Sequence, residues 1–197
     1  MSIVNITIGR DRALVGCDTA CQYGDDLEDR GEMSKLLVLH GSGGVLAYRG
    51  KRAMFERIFT RLLFGREPSD FDALLDRLPT IIEASAGATP STVNLQLELY
   101  AVGWSGSRGR MAGAVYVIDT AGALTDAQVD TWQCANSPEV PEDPDPMLDG
   151  PVAMFGHAQR QTAYGKREFP GQAIGGRFFV ADVTRERITV AAVGRLD

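Results

Sequence analysis

The chain has 197 residues, of which 44% are hydrophobic and 23% charged, so we expect one globular domain spanning residues 1–197. Its 26 acidic and 20 basic side chains give a net charge of −6, which excludes nucleic-acid and anionic-membrane binders because both need a basic face. No apolar run approaches the roughly 18–20 residues of a membrane span, and no export signal follows Met1, so we expect a cytoplasmic protein.

The N-terminal part of the chain is predicted to be antiparallel sheet. Apolar and polar residues alternate over 3–17 around the polar turn 9–12, which is typical of a β-hairpin. The acidic segment 22–34 predicts a loop, and the apolar runs 36–39 and 45–48 predict a second hairpin.

Two amphipathic helices are predicted after these strands. Apolar residues recur every three or four positions over 51–64, and again from residue 71 to about residue 86. Gly65 and Pro68 end the first helix, and Asp70 is placed to cap the second. The two helices are expected to lie side by side.

A second pair of strands follows the helices. Strict alternation predicts a strand over 94–100, and the apolar run 114–118 predicts its neighbour. The segment 103–113 between them is rich in glycine and arginine, so it is predicted to be a loop.

The C-terminal part of the chain is less regular. The proline-rich, acidic segment 137–146 predicts an exposed loop, and a weakly helical stretch follows over about 150–169. Two final strands are predicted over 177–183 and 187–193. The whole order of elements predicts an α+β sandwich with sheet in the middle and helices outside.

Cysteine and histidine are too few and too scattered for a metal site. Cys17 and Cys21 are four residues apart, Cys134 is distant, and His40 and His157 are the two histidines. These spacings match no zinc-ligand pattern, and an odd cysteine count in an unexported chain disfavours a disulfide framework. We therefore predict buried or half-buried free thiols and no metal or other cofactor.

Most motifs that identify an enzyme are missing from the sequence. There is no phosphate-binding P-loop, no dinucleotide-binding glycine motif between a strand and a helix, and no zinc-protease motif. The segment 103–107 only half resembles the nucleophile elbow of serine hydrolases, because it is predicted in a hairpin loop rather than before a helix.

Ser2 is the best candidate nucleophile. Methionine before a small residue is normally removed, and loss of Met1 would leave Ser2 with a free α-amine. Such an amine has a pKa of about 7.7–8.0, so a useful fraction is neutral near pH 7 and can act as general base for the serine hydroxyl. Met-Ser is a common start, however, so the prediction depends on the residues that follow.

Four positions in one register strengthen this interpretation. Counted from Ser2, Asp18 is the seventeenth residue and Lys35 the thirty-fourth, and Ala47 lies three residues before Gly50, which leads into the first predicted helix. In these residues the chain resembles the proteasome β-subunit family of N-terminal-nucleophile hydrolases, with a one-residue insertion before Lys35. Within that family it is most similar to the small bacterial proteasome homologues, including the betaproteobacterial subgroup.

The resemblance implies a four-layer αββα sandwich of two antiparallel sheets flanked by helices. It also implies a mechanism in which Ser2 attacks the peptide carbonyl while its own α-amine acts first as base and then as acid. Lys35 would lower the pKa of the Ser2 hydroxyl and amine, and Asp18 would keep Lys35 charged and oriented. The amide of Ala47 would point into the oxyanion hole, and no cofactor would take part.

An assembly of identical subunits is implied as well. Family members form two stacked rings of six or seven subunits that enclose the active sites, and they act on peptides or unfolded proteins. An ATP-dependent unfoldase is a candidate partner, although no motif in the chain encodes one. Neither a nucleic acid nor a membrane is expected as a partner.

Two departures from the family pattern keep alternatives open. The family has an Asp and a Ser just before its terminal glycine pair, whereas the segment 171–176 has neither. Ser2 also lacks the methyl group of the usual threonine. A catalytically weak or inactive ring scaffold, and an N-terminal-nucleophile amidase acting on a small metabolite, are therefore the alternative functions.

Overall fold

The computed structural model describes six segments of the chain, which are residues 2–22, 30–65, 68–88, 94–129, 134–143 and 148–196. Within these segments the strands are β1 (Val4–Ile8), β2 (Arg12–Asp18), β3 (Ala20–Gln22), β4 (Arg30–Glu32), β5 (Leu36–Leu39), β6 (Gly44–Gly50), β7 (Leu97–Ser105), β8 (Arg110–Ile118), β9 (Leu124–Val129), β10 (Cys134–Ser137), β11 (Gly176–Thr184) and β12 (Ile188–Leu196). The helices are α1 (Arg52–Phe64), α2 (Phe71–Gly87) and α3 (Pro151–Glu168).

Most of the strands form two five-stranded antiparallel sheets. The order in the first sheet is β10-β1-β2-β11-β12, and the order in the second is β5-β6-β7-β8-β9. β3 and β4 form a separate two-stranded ribbon. Cys17 of β2 lies opposite both Val4 of β1 and Phe179 of β11, so β2 is a central strand of the first sheet.

The two sheets stack face to face, and helices cover their outer faces. α1 and α2 pack on the second sheet through buried apolar residues such as Ile58, Leu78 and Leu99. α3 packs on the first sheet, where Met154 and Phe178 belong to one buried cluster. A third buried cluster, with side chains from β1, β2, β6, β7, β8 and β11, fills the space between the sheets. The predicted four-layer α+β sandwich is confirmed.

The helices lie where the sequence predicts them. α2 begins after Asp70, whose side chain accepts a hydrogen bond from the N–H of Ala73 at 2.8 Å, and α1 ends before Gly65. α3 coincides with the stretch predicted over about 150–169. Within the described segments, no helix combines the length and the apolar character that crossing a bilayer requires.

Pro79 lies inside α2 without ending it. Proline has no N–H, so the carbonyl of Leu75 loses its partner in the helical ladder. The hydroxyl of Tyr116 in β8 donates to this carbonyl at 3.3 Å instead. A contact with the sheet therefore replaces the missing helical bond, and α2 continues to Gly87.

Two predicted loops are wrong in their extent. The segment 22–34 is predicted to be a loop, but β4 lies within it and pairs with β3, with Gly31 opposite Cys21. The predicted loop 103–113 shrinks to a turn over 106–109, because β7 and β8 run further than the alternation indicates. Polar or glycine-rich segments can form strands because pairing with a neighbouring strand provides hydrogen bonds for their backbone N–H and C=O groups. The alternation of apolar and polar side chains does not reveal such pairing.

The region around β10 also departs from the prediction. Neither β9 nor β10 is predicted, and β10 pairs with β1 at the edge of the first sheet. The segment 137–146 is predicted to be exposed, yet Ser137 and Val140 are buried. Residues 144–147 lie outside the described part of the chain.

Candidate active site

A buried ion pair connects the two sheets. Asp18 is the last residue of β2 in the first sheet, and Lys35 directly precedes β5 in the second. The Nζ of Lys35 donates to Oδ1 of Asp18 at 2.6 Å. Asp18 is fully buried, and Lys35 is only 3% exposed. Because opposite charges attract strongly in a low-dielectric interior, this contact holds both side chains in a defined geometry.

Asp18 also holds the beginning of β1. Its Oδ1 accepts the N–H of Ile3 at 2.9 Å, and its own N–H donates to the carbonyl of Ile3 at 3.3 Å. Its Oδ2 accepts the N–H of Gly175 at 3.1 Å. The carboxylate therefore receives hydrogen bonds from Lys35, Ile3 and Gly175.

Ser2 lies half-buried, one residue before these contacts. Since Asp18 binds both backbone groups of Ile3, it ties the position of Ser2 to the carboxylate that binds Lys35. Met1, whose removal is predicted, lies outside the described residues.

Ala47 is fully buried inside the second sheet. It lies opposite Leu36 of β5 on one side and Tyr100 of β7 on the other. The N–H of the next residue, Tyr48, donates to the carbonyl of Lys35 at 3.2 Å. The backbone around Ala47 thus lies against Lys35 and the strand that follows it, while the role of the Ala47 amide as oxyanion donor stays a prediction.

The thiol of Cys17 does not compete for the role of nucleophile. Burial raises its pKa far above the usual range for a thiol, and the neighbouring charge of Asp18 raises it further. A nucleophilic cysteine needs a lowered pKa and access to substrate. Cys17 and the half-buried Cys21 are both free, as predicted, and the side chain of Cys134 lies outside the described part.

A second polar network lies beside the start of the chain. The side chain of Arg49 donates to Oγ of Ser137 and lies 3.7 Å from Oε2 of Glu98. The hydroxyl of Tyr100 donates to the same glutamate oxygen at 2.7 Å. Ser137 lies opposite Val4 of β1, so the network reaches the first strand two residues beyond the candidate nucleophile.

The residues before the terminal glycine pair are apolar. Ala173 and Ile174 are buried where the resemblance implies Asp and Ser side chains. Gly175 has a φ of 117°, and a Cβ there would lie 2.6 Å from the carbonyl oxygen of Leu196, so the position requires glycine. This corner of the site therefore contributes a backbone N–H to Asp18 rather than a polar side chain.

Among the described residues, no group of three or more histidine, cysteine and acidic side chains is arranged to hold a metal ion. What the site offers is a lysine–aspartate pair, backbone amides and a serine near the start of the chain. Acyl transfer needs a nucleophile, a base and donors for an oxyanion, and a serine and backbone amides are groups of the first and last kinds.

The sandwich, with its two antiparallel sheets between helices, has the N-terminal-nucleophile hydrolase type of fold. Solved structures that share it include Anbu (ancestral beta-subunit) from Yersinia bercovieri, with 13% identity and a TM-score of 0.66 over 98% of this chain and 88% of that chain. Anbu from Hyphomicrobium sp. strain MC1 matches with 10% identity and a TM-score of 0.67 over the same shares. A mutant of the Hyphomicrobium protein matches with 10% identity and a TM-score of 0.66. At these identities the similarity concerns the fold.

These comparisons correct the family expected from the sequence. No protein-family profile and no curated protein matches the chain. The structural neighbours are Anbu proteins, a proteasome-like but distinct family, so the assignment to the proteasome β-subunit family and its betaproteobacterial subgroup is wrong. The register of Ser2, Asp18, Lys35 and Ala47 is therefore not specific enough to identify a family.

Several contributors to the site are not predicted from the sequence. The amides of Ile3 and Gly175 leave no side-chain signal, so no pattern of residue types could find them. Arg49 and Glu98 lie opposite each other in β6 and β7. In the sequence, each of these charged residues stands out within a mostly apolar strand. The sequence does not show that they are partners, because that depends on the register between the two strands.

Proposed function

We propose that the chain is a proteasome-like subunit, folded as one domain, that hydrolyses peptide bonds with Ser2 as nucleophile once Met1 is removed. The observation that carries this proposal is the buried Lys35–Asp18 pair, whose carboxylate also binds the amide of the residue after Ser2. An ammonium group near an N-terminal serine stabilises the negative charge that develops on the attacking oxygen.

In the proposed mechanism the neutral α-amine of Ser2 takes the proton of its own hydroxyl while Oγ attacks the peptide carbonyl. The oxyanion that forms needs a hydrogen-bond donor, for which we propose the amide of Ala47. The protonated α-amine then gives its proton to the leaving amine, and an ester remains on Oγ. Water, deprotonated by the same amine, hydrolyses this ester and restores the serine.

Lys35 and Asp18 act on the nucleophile in different ways. Lys35 supplies positive charge near Ser2, whereas Asp18 is a positioning residue that holds both Lys35 and Ile3. The proposed substrates are peptides or unfolded proteins in the cytoplasm. Two stacked rings of six or seven identical subunits would enclose the sites and keep the nucleophile from folded proteins, with an ATP-dependent unfoldase as a candidate partner.

Intact-mass spectrometry after exposure to a peptide epoxyketone tests this proposal. The reagent closes a ring on a hydroxyl and its neighbouring free amine, so protein that lacks Met1 should gain the mass of one inhibitor. The Ser2→Ala variant should gain none, and the Ser69→Ala variant, which changes an exposed serine, should react like the native protein.

Protein that has lost Met1 and still gains no inhibitor would contradict the proposal. If Met1 is retained, an aminopeptidase removes it before the reaction is repeated. Hydrolysis of an unfolded substrate that continues unchanged in Ser2→Ala would exclude Ser2 as the nucleophile.

An inactive ring scaffold is the second candidate function. The buried apolar side chains of Ala173 and Ile174 favour it, because polar groups that would hold the α-amine are missing at that point. This alternative predicts a large oligomer by size-exclusion chromatography with light scattering, together with no inhibitor adduct after Met1 is gone.

A further inference from the structure

A groove opens to solvent between α1 and α2, with a volume of about 780 Å³. Five of its lining residues define what we call the arginine groove: Arg57, Arg61, Phe64, Arg77 and Ile81. It lies on the helical layer that covers the second sheet, and it shares no residue with the candidate active site.

Helical spacing brings these side chains to one surface. Arg57, Arg61 and Phe64 are separated by four and three residues on α1, and Arg77 and Ile81 by four residues on α2, so each set occupies one face of its helix. The core contacts of α1 use other positions, among them the buried residues Met54, Phe55, Ile58 and Leu62. The basic residues of the groove are therefore not needed to pack the helix on the sheet.

The positive charge that α1 contributes to the groove is poorly compensated. Arg57 donates to the backbone carbonyl of Ala88 at 3.2 Å, and within the described segments the guanidinium of Arg61 contacts no acidic side chain. Glu56 is the acidic residue among those that line the groove, and its carboxylate is paired with Arg52 at 2.5 Å. In a chain with a net charge of −6, such a cleft concentrates a positive field and attracts anionic groups.

An apolar anchor lies next to these cations. Phe64 is 87% exposed and its neighbour Leu63 is 55% exposed, which is unusual for large apolar side chains at the end of a helix. Aromatic and arginine side chains side by side are the residues that most often dominate the energy of a protein interface. The groove thus combines sites for carboxylates with a site for an apolar side chain.

We propose that the arginine groove binds an acidic peptide segment of a partner protein, with a large apolar side chain of that segment against Phe64. An extended peptide can lie between both helices, and its carboxylates complement Arg57 and Arg61 of α1. The chain's own acidic segment 137–146 is a poorer occupant, because Glu142 and Asp143 already bind Arg167 and Arg160. This inference does not depend on the function proposed for Ser2.

Fluorescence anisotropy with a labelled Glu-Leu repeat peptide tests the inference. The native protein should bind this probe, more tightly at about 50 mM than at about 200 mM salt, and should not bind a Lys-Leu repeat of the same length. Reversing both charges in Arg57→Glu with Arg61→Glu should weaken binding about tenfold or more. Phe64→Ser should weaken it about threefold or more through loss of the apolar contact.

Arg10→Glu is the matched control for the single variant Arg61→Glu, because each reverses one charge and Arg10 lies on the exposed turn between β1 and β2. Arg10→Glu should keep the affinity for the Glu-Leu peptide within about twofold of the native value. If it weakened binding as much as Arg61→Glu does, the binding would be unspecific charge attraction and the inference would be overturned. Circular dichroism checks folding, and if the double reversal unfolds, Arg61→Gln replaces it with an expected loss of about threefold.

Self-association provides a second decisive readout. Native protein that forms larger species as its concentration rises, and loses them in Arg61→Glu, would show that a second copy occupies the groove and would overturn the inference. Absence of any binding to the Glu-Leu probe at low salt would overturn it as well.

Discussion

Asp18 receives hydrogen bonds from a side chain and from two backbone amides, and the three donors come from distant parts of the chain. Burying a charge without a partner costs several kcal/mol, and a buried ion pair only roughly offsets that penalty. The Lys35–Asp18 pair is therefore better understood as a positional constraint than as a large source of stability. It defines where the beginning of β1, and so Ser2, lies.

Removing one member of this pair should be strongly destabilising. In Lys35→Met the carboxylate of Asp18 stays buried without its cation, and we expect the free energy of unfolding to fall by about 3–5 kcal/mol. The double variant Lys35→Met with Asp18→Asn should lose less than the sum of the two single changes, by about 1–3 kcal/mol, because the two side chains interact directly. Urea unfolding of the four proteins measures this coupling.

Asp182→Asn provides the comparison on the surface. Asp182 binds Arg12 at 2.8 Å, but the arginine side chain is 52% exposed, so we expect a loss below about 1 kcal/mol. If Lys35→Met and Asp182→Asn lowered the free energy of unfolding equally, the buried pair would not constrain the structure more than the surface pair does.

At the scale of elements, the contact between α2 and the second sheet depends on two glycines. Gly44 of β6 and Gly103 of β7 lie opposite each other, and Phe71 at the start of α2 packs on both. A Cβ at Gly103 would lie 2.4 Å from Cδ2 of Phe71, well inside van der Waals contact. Because neither glycine has a side chain, the ring of Phe71 can pack directly against the two strands.

Gly103→Ala should push α2 away from the sheet. Because Phe71 is buried and cannot move freely, we expect a loss of about 1–3 kcal/mol in the free energy of unfolding. Thermal or urea denaturation measures the change.

Gly87→Ala is the matched control, since nothing lies within 4 Å of a Cβ at that helical position. It should be neutral or stabilise by about 0.5–1 kcal/mol, because alanine favours helix more than glycine does. If both substitutions stabilised the protein, close packing at Phe71 would not explain the glycine pair.

At the scale of the whole molecule, polar contacts attach the α3 layer to the first sheet. His157 is fully buried, and its Nδ1 lies 2.8 Å from Oδ2 of Asp143, which Arg160 also binds. Gln161 accepts the side-chain amide of Asn5 in β1 at 2.8 Å. These contacts form a polar network, partly exposed at Asp143 and Arg160, that joins the helix, the first strand and the segment after β10.

This network should make stability depend on pH. Burial lowers the pKa of His157 in the folded protein, although the carboxylate of Asp143 opposes the shift. The unfolded chain therefore binds more protons as the pH falls through about 6.5, so the contribution of His157 is complete above that pH and is lost below it. We expect the free energy of unfolding to fall from pH 7 to pH 5, by at most about 1.4 kcal/mol per pH unit from this group.

The variant His157→Gln, measured by urea unfolding across the same pH range, should lose part of this dependence because glutamine does not titrate. His40→Gln, which changes the other histidine on an exposed turn, should keep it. A native-like pH dependence in His157→Gln would rule out His157 as its source.

Much of the fold could be predicted from local patterns. Apolar periodicity identified α1 and α2, and alternation identified the β1–β2 and β5–β6 hairpins, because these elements bury one continuous face. β3, β4, β9 and β10 were missed. Their short or polar sequences carry little periodicity, and each becomes a strand only by pairing with a neighbour.

Part of the candidate site could likewise be predicted from the sequence, and part of it could not. Ser2, Asp18 and Lys35 could be singled out because their register resembles that of a known family, and the role of Ser2 as nucleophile stays a prediction. The amide of Gly175 could not, because it reaches Asp18 only when β11 pairs with β2. The family assignment failed because four positions in one register are not specific enough to identify a family.

Composition and local pattern are enough to establish the acidic character of the protein, the order of its main elements and the sandwich class. Those properties depend on composition and on neighbours within a few positions along the chain. The tertiary structure alone decided which donors surround Asp18 and which arginines meet between α1 and α2. Such contacts join residues that are far apart in the sequence, so they exist only once layers have stacked and strands have found their register.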